Sequence, residues 1–151
     1  MLARLSLLGK IAAQAPRSVP NADILVSSLE GDRLCAVQVK ARQDKGADGG
    51  WHMKKKHEDL RASGLFYAFV DFGNLSDPKP VTYILPSEVV AHVLRAMHQA
   101  WLDNPGKRGQ KHNDSEMRRF VPDYSRTSGV GVGKYVGGWL DEYREAWSLI
   151  P

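Results

Sequence analysis

The sequence predicts a single α/β domain: a mixed five-stranded β-sheet flanked by α-helices. Three observations predict it. Strand-type and helix-type patterns alternate along the chain. Residues 65–72 form an almost wholly apolar and aromatic run of strand length, as a strand buried on both faces requires. Val89, Val90, Val93, Leu94, Met97 and Trp101 recur at spacings of three and four, the stripe of a helix packed on a sheet.

Residues 2–8 read as the end of a helix, stopped by Gly9. Residues 11–15 are a weak first strand whose exit runs from Pro16 to Pro20. Residues 23–28 and 33–41 are strands joined as a hairpin by the turn residues Glu30, Gly31 and Asp32. Residues 43–50 are a loop containing Gly46, Gly49 and Gly50. Residues 52–63 have helical composition and are closed by Gly64. The buried strand 65–72 follows, then a turn-rich connection from Gly73 to Pro80, and then a fifth strand over 81–85.

After Pro86, Ser87 is placed to cap a long helix that runs to about Asp103 and is ended by Asn104, Pro105 and Gly106. Residues 105–136 are polar, basic and glycine-rich and read mostly as loop. Residues 138–150 read as a final helix, with Trp139, Tyr143 and Trp147 every four residues as a core stripe. No repeat or second domain is visible, so residues 1–151 form one unit.

Composition narrows the function classes. With 151 residues, 42% hydrophobic and 25% charged, the chain is long enough to bury a sizeable core as a soluble globular domain. A formal charge of +4 suits a polyanionic partner. The lone Cys35 excludes an internal disulfide and a multi-cysteine zinc site, and suits a reducing cytoplasm. No apolar run approaches the ~20 residues of a spanning helix, so no membrane partner is expected. The start Met1–Gly9 carries one Arg and a short apolar run followed by Lys10, which does not read as a signal peptide. The segment Gly129–Lys134 lacks the spacing and the Ser or Thr of a phosphate-binding loop. His92 and His98, six apart on the long helix, do not share a face as paired metal ligands would.

The chemistry concentrates at the hairpin. Asp23 stands at the entry of one strand, and Gln38 and Lys40 lie near the exit of the next. Alternate residues of a strand share a face, so Gln38 and Lys40 point the same way, and hairpin pairing brings Asp23 near both. A carboxylate, an amide oxygen and an ammonium at one sheet edge suit a Mg²⁺ ion and a phosphodiester. An ordinary surface hairpin with polar exits is the bland alternative.

Asn21-Ala22-Asp23 and Gln38-Val39-Lys40 resemble the motif of the PD-(D/E)XK nuclease superfamily, the fold of many restriction endonucleases and junction resolvases. That motif is an Asp at a strand start, a variable spacer, then Glu-x-Lys on the next strand; Gln-x-Lys is a known variant. The resemblance covers about residues 4–85, with helices and a basic loop over 86–151. It implies a restriction-endonuclease-like fold in which Asp23, the Gln38 side-chain oxygen and the Val39 backbone carbonyl hold Mg²⁺ or Mn²⁺. Lys40 would then orient the attacking water or stabilise charge growing on the phosphate. The chain departs from the pattern twice: Gln38 replaces an acid, and no acidic residue precedes Asp23, whereas many members carry a Glu on the first helix. Members also begin that helix earlier, so this chain is expected to start inside it. With one carboxylate against Lys40, metal is expected to bind weakly unless substrate phosphate completes the site.

Two basic segments are candidate nucleic-acid contacts. Lys54, Lys55 and Lys56, followed by His57, lie after the motif; Lys107, Arg108, Lys111, Arg118 and Arg119 lie in the later loop. A solvated helix face and a flexible solvated loop are the competing readings. Trp51 and His52 precede the first run, and His52 is a candidate for proton transfer or a plain surface histidine. Together these readings predict a cytoplasmic, metal-dependent DNA endonuclease, in DNA processing or defence, that forms homodimers by analogy with other nucleases of the fold. The alternatives are a catalytically depleted nuclease fold that binds nucleic acid, and an interaction or immunity-type protein that uses its basic loops to bind another protein.

Overall fold

A computed structural model describes residues 1–43, 49–73, 79–106, 108–127 and 133–151. Helix α1 (Leu2–Leu7) leads into β1 (Ile11–Gln14) through Gly9, whose φ of +73° is the left-handed turn expected past a helix end. β2 (Ile24–Ser27) and β3 (Leu34–Arg42) follow, then β4 (Trp51–Lys54), β5 (Leu65–Asp71), β6 (Val81–Pro86), α2 (Ser87–Asp103) and β7 (Met117–Phe120).

The five predicted strands form one sheet in the order β1-β2-β3-β5-β6. β3 and β5 are parallel and every other neighbouring pair is antiparallel, so the sheet is mixed, as the α/β reading requires. Side chains alternate between two cores. Tyr67, Phe69 and Leu85 pack with Val90, Val93 and Leu94 of α2 on one face, while Val26, Val37, Phe66, Ala68 and Ile84 pack with Leu5 of α1 on the other. Cys35 is buried in β3, and burial pushes its thiol up to about 11, against the opposing pull of Lys10. Among the described residues no helix is long and apolar enough to cross a membrane.

Three element expectations are corrected. Residues 52–63 are not a helix: β4 is extended, and only Lys55–Glu58 winds into a short 3₁₀ turn. Trp51 and Met53 face inward while His52 and Lys54 face outward, a period of two that the helix-favouring composition around them concealed. The loop reading of 105–136 misses β7, which pairs antiparallel with β4 as a two-stranded ribbon in the register Trp51↔Phe120 and His52↔Arg119. Trp51 anchors that ribbon: its ring lies 5.1 Å from Phe69, and its Nε1–H donates to the Val70 carbonyl at 3.1 Å.

The third correction concerns residues 138–150, which form turns rather than a helix, with 3₁₀ segments at Asp141–Tyr143 and Trp147–Leu149. Between them the chain crosses the edge of β6. Glu145 N donates to the Thr82 carbonyl at 2.7 Å, and Glu145 Oε1 accepts from Thr82 N at 2.8 Å. Trp139 and Tyr143 therefore pack into the α2-side core while Trp147 and Ile150 enter the opposite one. An aromatic at every fourth position looked like one helical face but serves both faces of the sheet. Ser87 also departs from its expected role: it makes no cap bond, and its Oγ instead donates to the Ala62 carbonyl and accepts from Ala62 N, both at 2.9 Å.

Candidate functional site

Local backbone geometry brings the hairpin residues together. Asn21 has φ of +64°, a left-handed conformation that Asn tolerates better than most residues, and it turns the chain into β2. Asp23 N then donates to the Val37 carbonyl, and the Asp23 carbonyl accepts from Ala15 N, each at 2.9 Å, so Asp23 is tied to both neighbouring strands. Its side chain stays exposed, and Oδ2 accepts the Val39 N–H at 2.7 Å. The carboxylate is thereby held beside the residue that separates Gln38 from Lys40.

Gln38 and Lys40 project from the same face of β3 and line one cleft of about 460 Å³, with His52, Lys54, Lys56, His57 and the acidic Glu116 among its walls. Gln38 is 9% exposed, and its Oε1 is buried with no hydrogen-bond partner among the described residues. Leaving a buried carbonyl oxygen unpaired costs about 1–3 kcal/mol, and such an oxygen is ready to serve as a ligand to a cation or a donor group. Burial lowers the Lys40 ammonium below its ordinary range. The Asp23 charge opposes that shift, and nearby Lys56 and Lys54 reinforce it.

The first basic run divides. Lys54 and Lys56 line the cleft, and Lys56 Nζ donates to Asn21 Oδ1 at 2.7 Å, closing the rim beside Asp23. Lys55 turns away to Asp114 at 2.7 Å. His57, 2% exposed, is bonded through Nδ1 to the Tyr67 hydroxyl at 2.8 Å. Burial, then the charges of Lys40, Lys56 and Lys54, push the imidazole down to about 4, so it is neutral at neutral pH. The sequence marked His57 only as the end of a basic run and did not mark Tyr67, because only strand pairing and the turn after β4 bring the two together.

The second basic segment is corrected at Arg118, which does not face a nucleic acid. It is 3% exposed, pairs with Glu58 and reaches Asp114 at 3.1 Å, and donates to the carbonyl of Met117 at 2.9 Å. It points inward because Arg118 alternates with the outward-facing Met117 and Arg119 along β7. Arg108, Lys111 and Arg119 are exposed, and Lys107 lies outside the described residues. Arg119 lies opposite His52 on the outer face of the ribbon.

Among the described residues no three His, Cys, Asp or Glu side chains gather as a metal-binding group. The oxygen groups the hairpin carries are the exposed Asp23 carboxylate, bonded to Val39 N, and the buried Gln38 amide oxygen. That set fits a hard divalent cation, which takes carboxylate and carbonyl oxygens and keeps water in its remaining positions.

No family model matches the chain, and no curated protein matches it. Among solved structures it is similar to a bacterial homing endonuclease, I-Ssp6803I, with 17% identity, 99% of this chain and 81% of that one covered, and a TM-score of 0.48. It is also similar to Hjc, a Holliday junction resolvase from Archaeoglobus fulgidus, with 11% identity, 80% and 83% covered, and a TM-score of 0.41.

Proposed function

We propose that this chain is a divalent-metal-dependent DNA endonuclease. The carrying observation is the buried, unpaired Gln38 Oε1 in a cleft that also holds Lys40, Lys54 and Lys56, beside the Asp23 carboxylate. Two oxygens for a cation and three ammonium groups for an anion, side by side, are the components of a phosphodiester site.

The protein's own contribution is positional and electrostatic. Lys54 and Lys56 attract the phosphate backbone. Asp23 and Gln38 supply the oxygens for Mg²⁺ or Mn²⁺, which when bound would acidify a water and neutralise charge on the phosphoryl group. Lys40, in a partly desolvated setting that strengthens its field, faces the charge that develops in the transition state. Three lysines against the carboxylates of Asp23 and Glu116 leave a net positive charge that favours entry of the phosphate before the metal, so metal affinity should rise when DNA is present.

A second reading is favoured by the amide at position 38, where an acid would bind metal more strongly: a nuclease-like fold that binds nucleic acid without cutting it. Lys40→Ala and Gln38→Glu separate the two. For an enzyme, Lys40→Ala lowers the rate of Mg²⁺- or Mn²⁺-dependent cleavage by about 10²–10³-fold with DNA binding largely retained. Gln38→Glu adds a second carboxylate, and calorimetry should then show tighter metal binding. A wild type and a Gln38→Glu variant that bind DNA yet stay inert with both metals would establish the binding module instead.

A further inference from the structure

The His57–Tyr67 pair adds a residue to the site just described, and its role rests on that reading of the cleft as a phosphodiester site. Tyr67 is fully buried on β5 and is the register partner of Gln38 on β3, so its ring stands beside the Gln38 side chain under the cleft. Its hydroxyl meets His57 Nδ1 at 2.8 Å. Proton counting sets the direction of that bond. A buried phenol needs an acceptor for its O–H, and burial also raises the Tyr67 hydroxyl well above its ordinary range, keeping the proton on oxygen. If Nδ1–H were the donor, the Tyr67 proton would be left unpaired in the core. Tyr67 O–H therefore donates to Nδ1, and the neutral ring carries its own proton on Nε2.

Nδ1 is turned into the core, so the ring edge available to the cleft is the one bearing Nε2. The other polar residues lining the cleft are Lys40, Lys54, Lys56, Gln38, His52 and Glu116, so three ammonium groups stand against one carboxylate of the lining. Three cations with a neutral N–H between them suit a tetrahedral anion: the lysines supply charge and the imidazole supplies a directed hydrogen bond. A lysine in that place would add a fourth positive charge next to a site that must also accept a divalent cation.

We propose that His57 binds substrate directly, donating its Nε2–H to a non-bridging phosphate oxygen, and that Tyr67 is the positioning residue that selects this tautomer. Long-range ¹H–¹⁵N spectra of the intact protein test it, with metal-free short duplex DNA as the probe. The free protein should show His57 protonated on Nε2 alone, and DNA should shift that Nε2–H and slow its exchange with water. Tyr67→Phe should give a mixture of tautomers.

In metal-free binding assays His57→Ala should lose about tenfold in DNA affinity, the size of one hydrogen bond to a charged group. His57→Gln, which keeps an N–H donor, should recover most of that loss. Because the donor is neutral, the salt dependence of binding should be unchanged in both variants. A wild-type His57 protonated on Nδ1 would overturn the proposal. So would DNA that moves the signals of Lys54 and Lys56 and leaves His57 unmoved; in that case the phosphodiester reading survives and only the role of His57 falls. DNA that moves none of these signals would remove both.

Discussion

Lys54 and Lys55 are neighbours in sequence and end in opposite settings, and the contrast extends to the two regions they belong to. On one side is the cleft, where Lys40, Lys54 and Lys56 face the carboxylates of Glu116 and the neighbouring Asp23 and one unpaired amide oxygen. On the other is a charge network in which Asp114 takes Lys55, His98 and Arg118, and Arg118 takes Glu58. The network is balanced, with Lys55 and Arg118 matched to Asp114 and Glu58, and with Lys55, His98 and Arg118 at 2.7–3.1 Å from Asp114. In the cleft, cations outnumber acids, an arrangement that leaves attraction over for a ligand. A basic residue in a sequence says nothing about which of these it joins.

The largest test of this contrast is Arg118→Ala. Removing one partner of a buried ion pair leaves Glu58 uncompensated, and the loss should be about 3–5 kcal/mol, read as a lowered midpoint in urea. If Arg118→Ala unfolds at the wild-type midpoint, the network is not a structural element and the division between the two regions fails.

Acid should separate the regions next. The His57 pKa falls from its ordinary 6.5 to about 4 on folding. Between those values the unfolded chain binds the extra proton, so stability is full above about pH 6.5 and declines as pH falls toward 4, by on the order of 3 kcal/mol. Asp114 acts in a lower window: Lys55 and then His98 hold its carboxylate below the ordinary 3.8, so its contribution is present above that value and lost below it. Urea unfolding across this range should show the first decline in the wild type and a flattened one in His57→Gln. A wild-type curve level from pH 6.5 to 4 would contradict the buried neutral imidazole.

The smallest effects compare adjacent lysines. Lys54→Ala and Lys56→Ala should each weaken DNA binding and reduce the salt slope by about one, with stability nearly unchanged. Lys55→Ala should leave the slope alone and cost little stability, as exposed ion pairs do. An equal loss of slope at Lys55 would erase the distinction.

Much of the sheet was legible in the sequence because its strands carry their own signals. The apolar run through Phe66–Phe69 needs burial on both faces, and the turn residues at Gly31 dictate a hairpin that brings Asp23 to the backbone of Val39. α2 was legible for the same reason, since its stripe has a single period over 17 residues. The ribbon was not: β4 and β7 have four residues each, too few to outweigh the helix-favouring lysines and the glycine-rich loop around them, and they exist because each pairs with the other across more than 60 residues of chain.

What the sequence determined by itself was therefore the local part: the α/β alternation, the five main strands, α2, and the hairpin that sets Asp23 against the backbone of Val39 between Gln38 and Lys40. Local periodicity and turn chemistry act between near neighbours and are written in composition and spacing. Only the tertiary structure decided the rest. It sent Trp139 and Trp147 to opposite faces of the sheet, turned Arg118 inward to Glu58, left Gln38 Oε1 without a partner, and joined His57 to Tyr67. Each of these depends on which distant group shares a buried volume, and burial, which sets the strength of every charge and hydrogen bond in this molecule, is a property of the packed chain rather than of any segment of it.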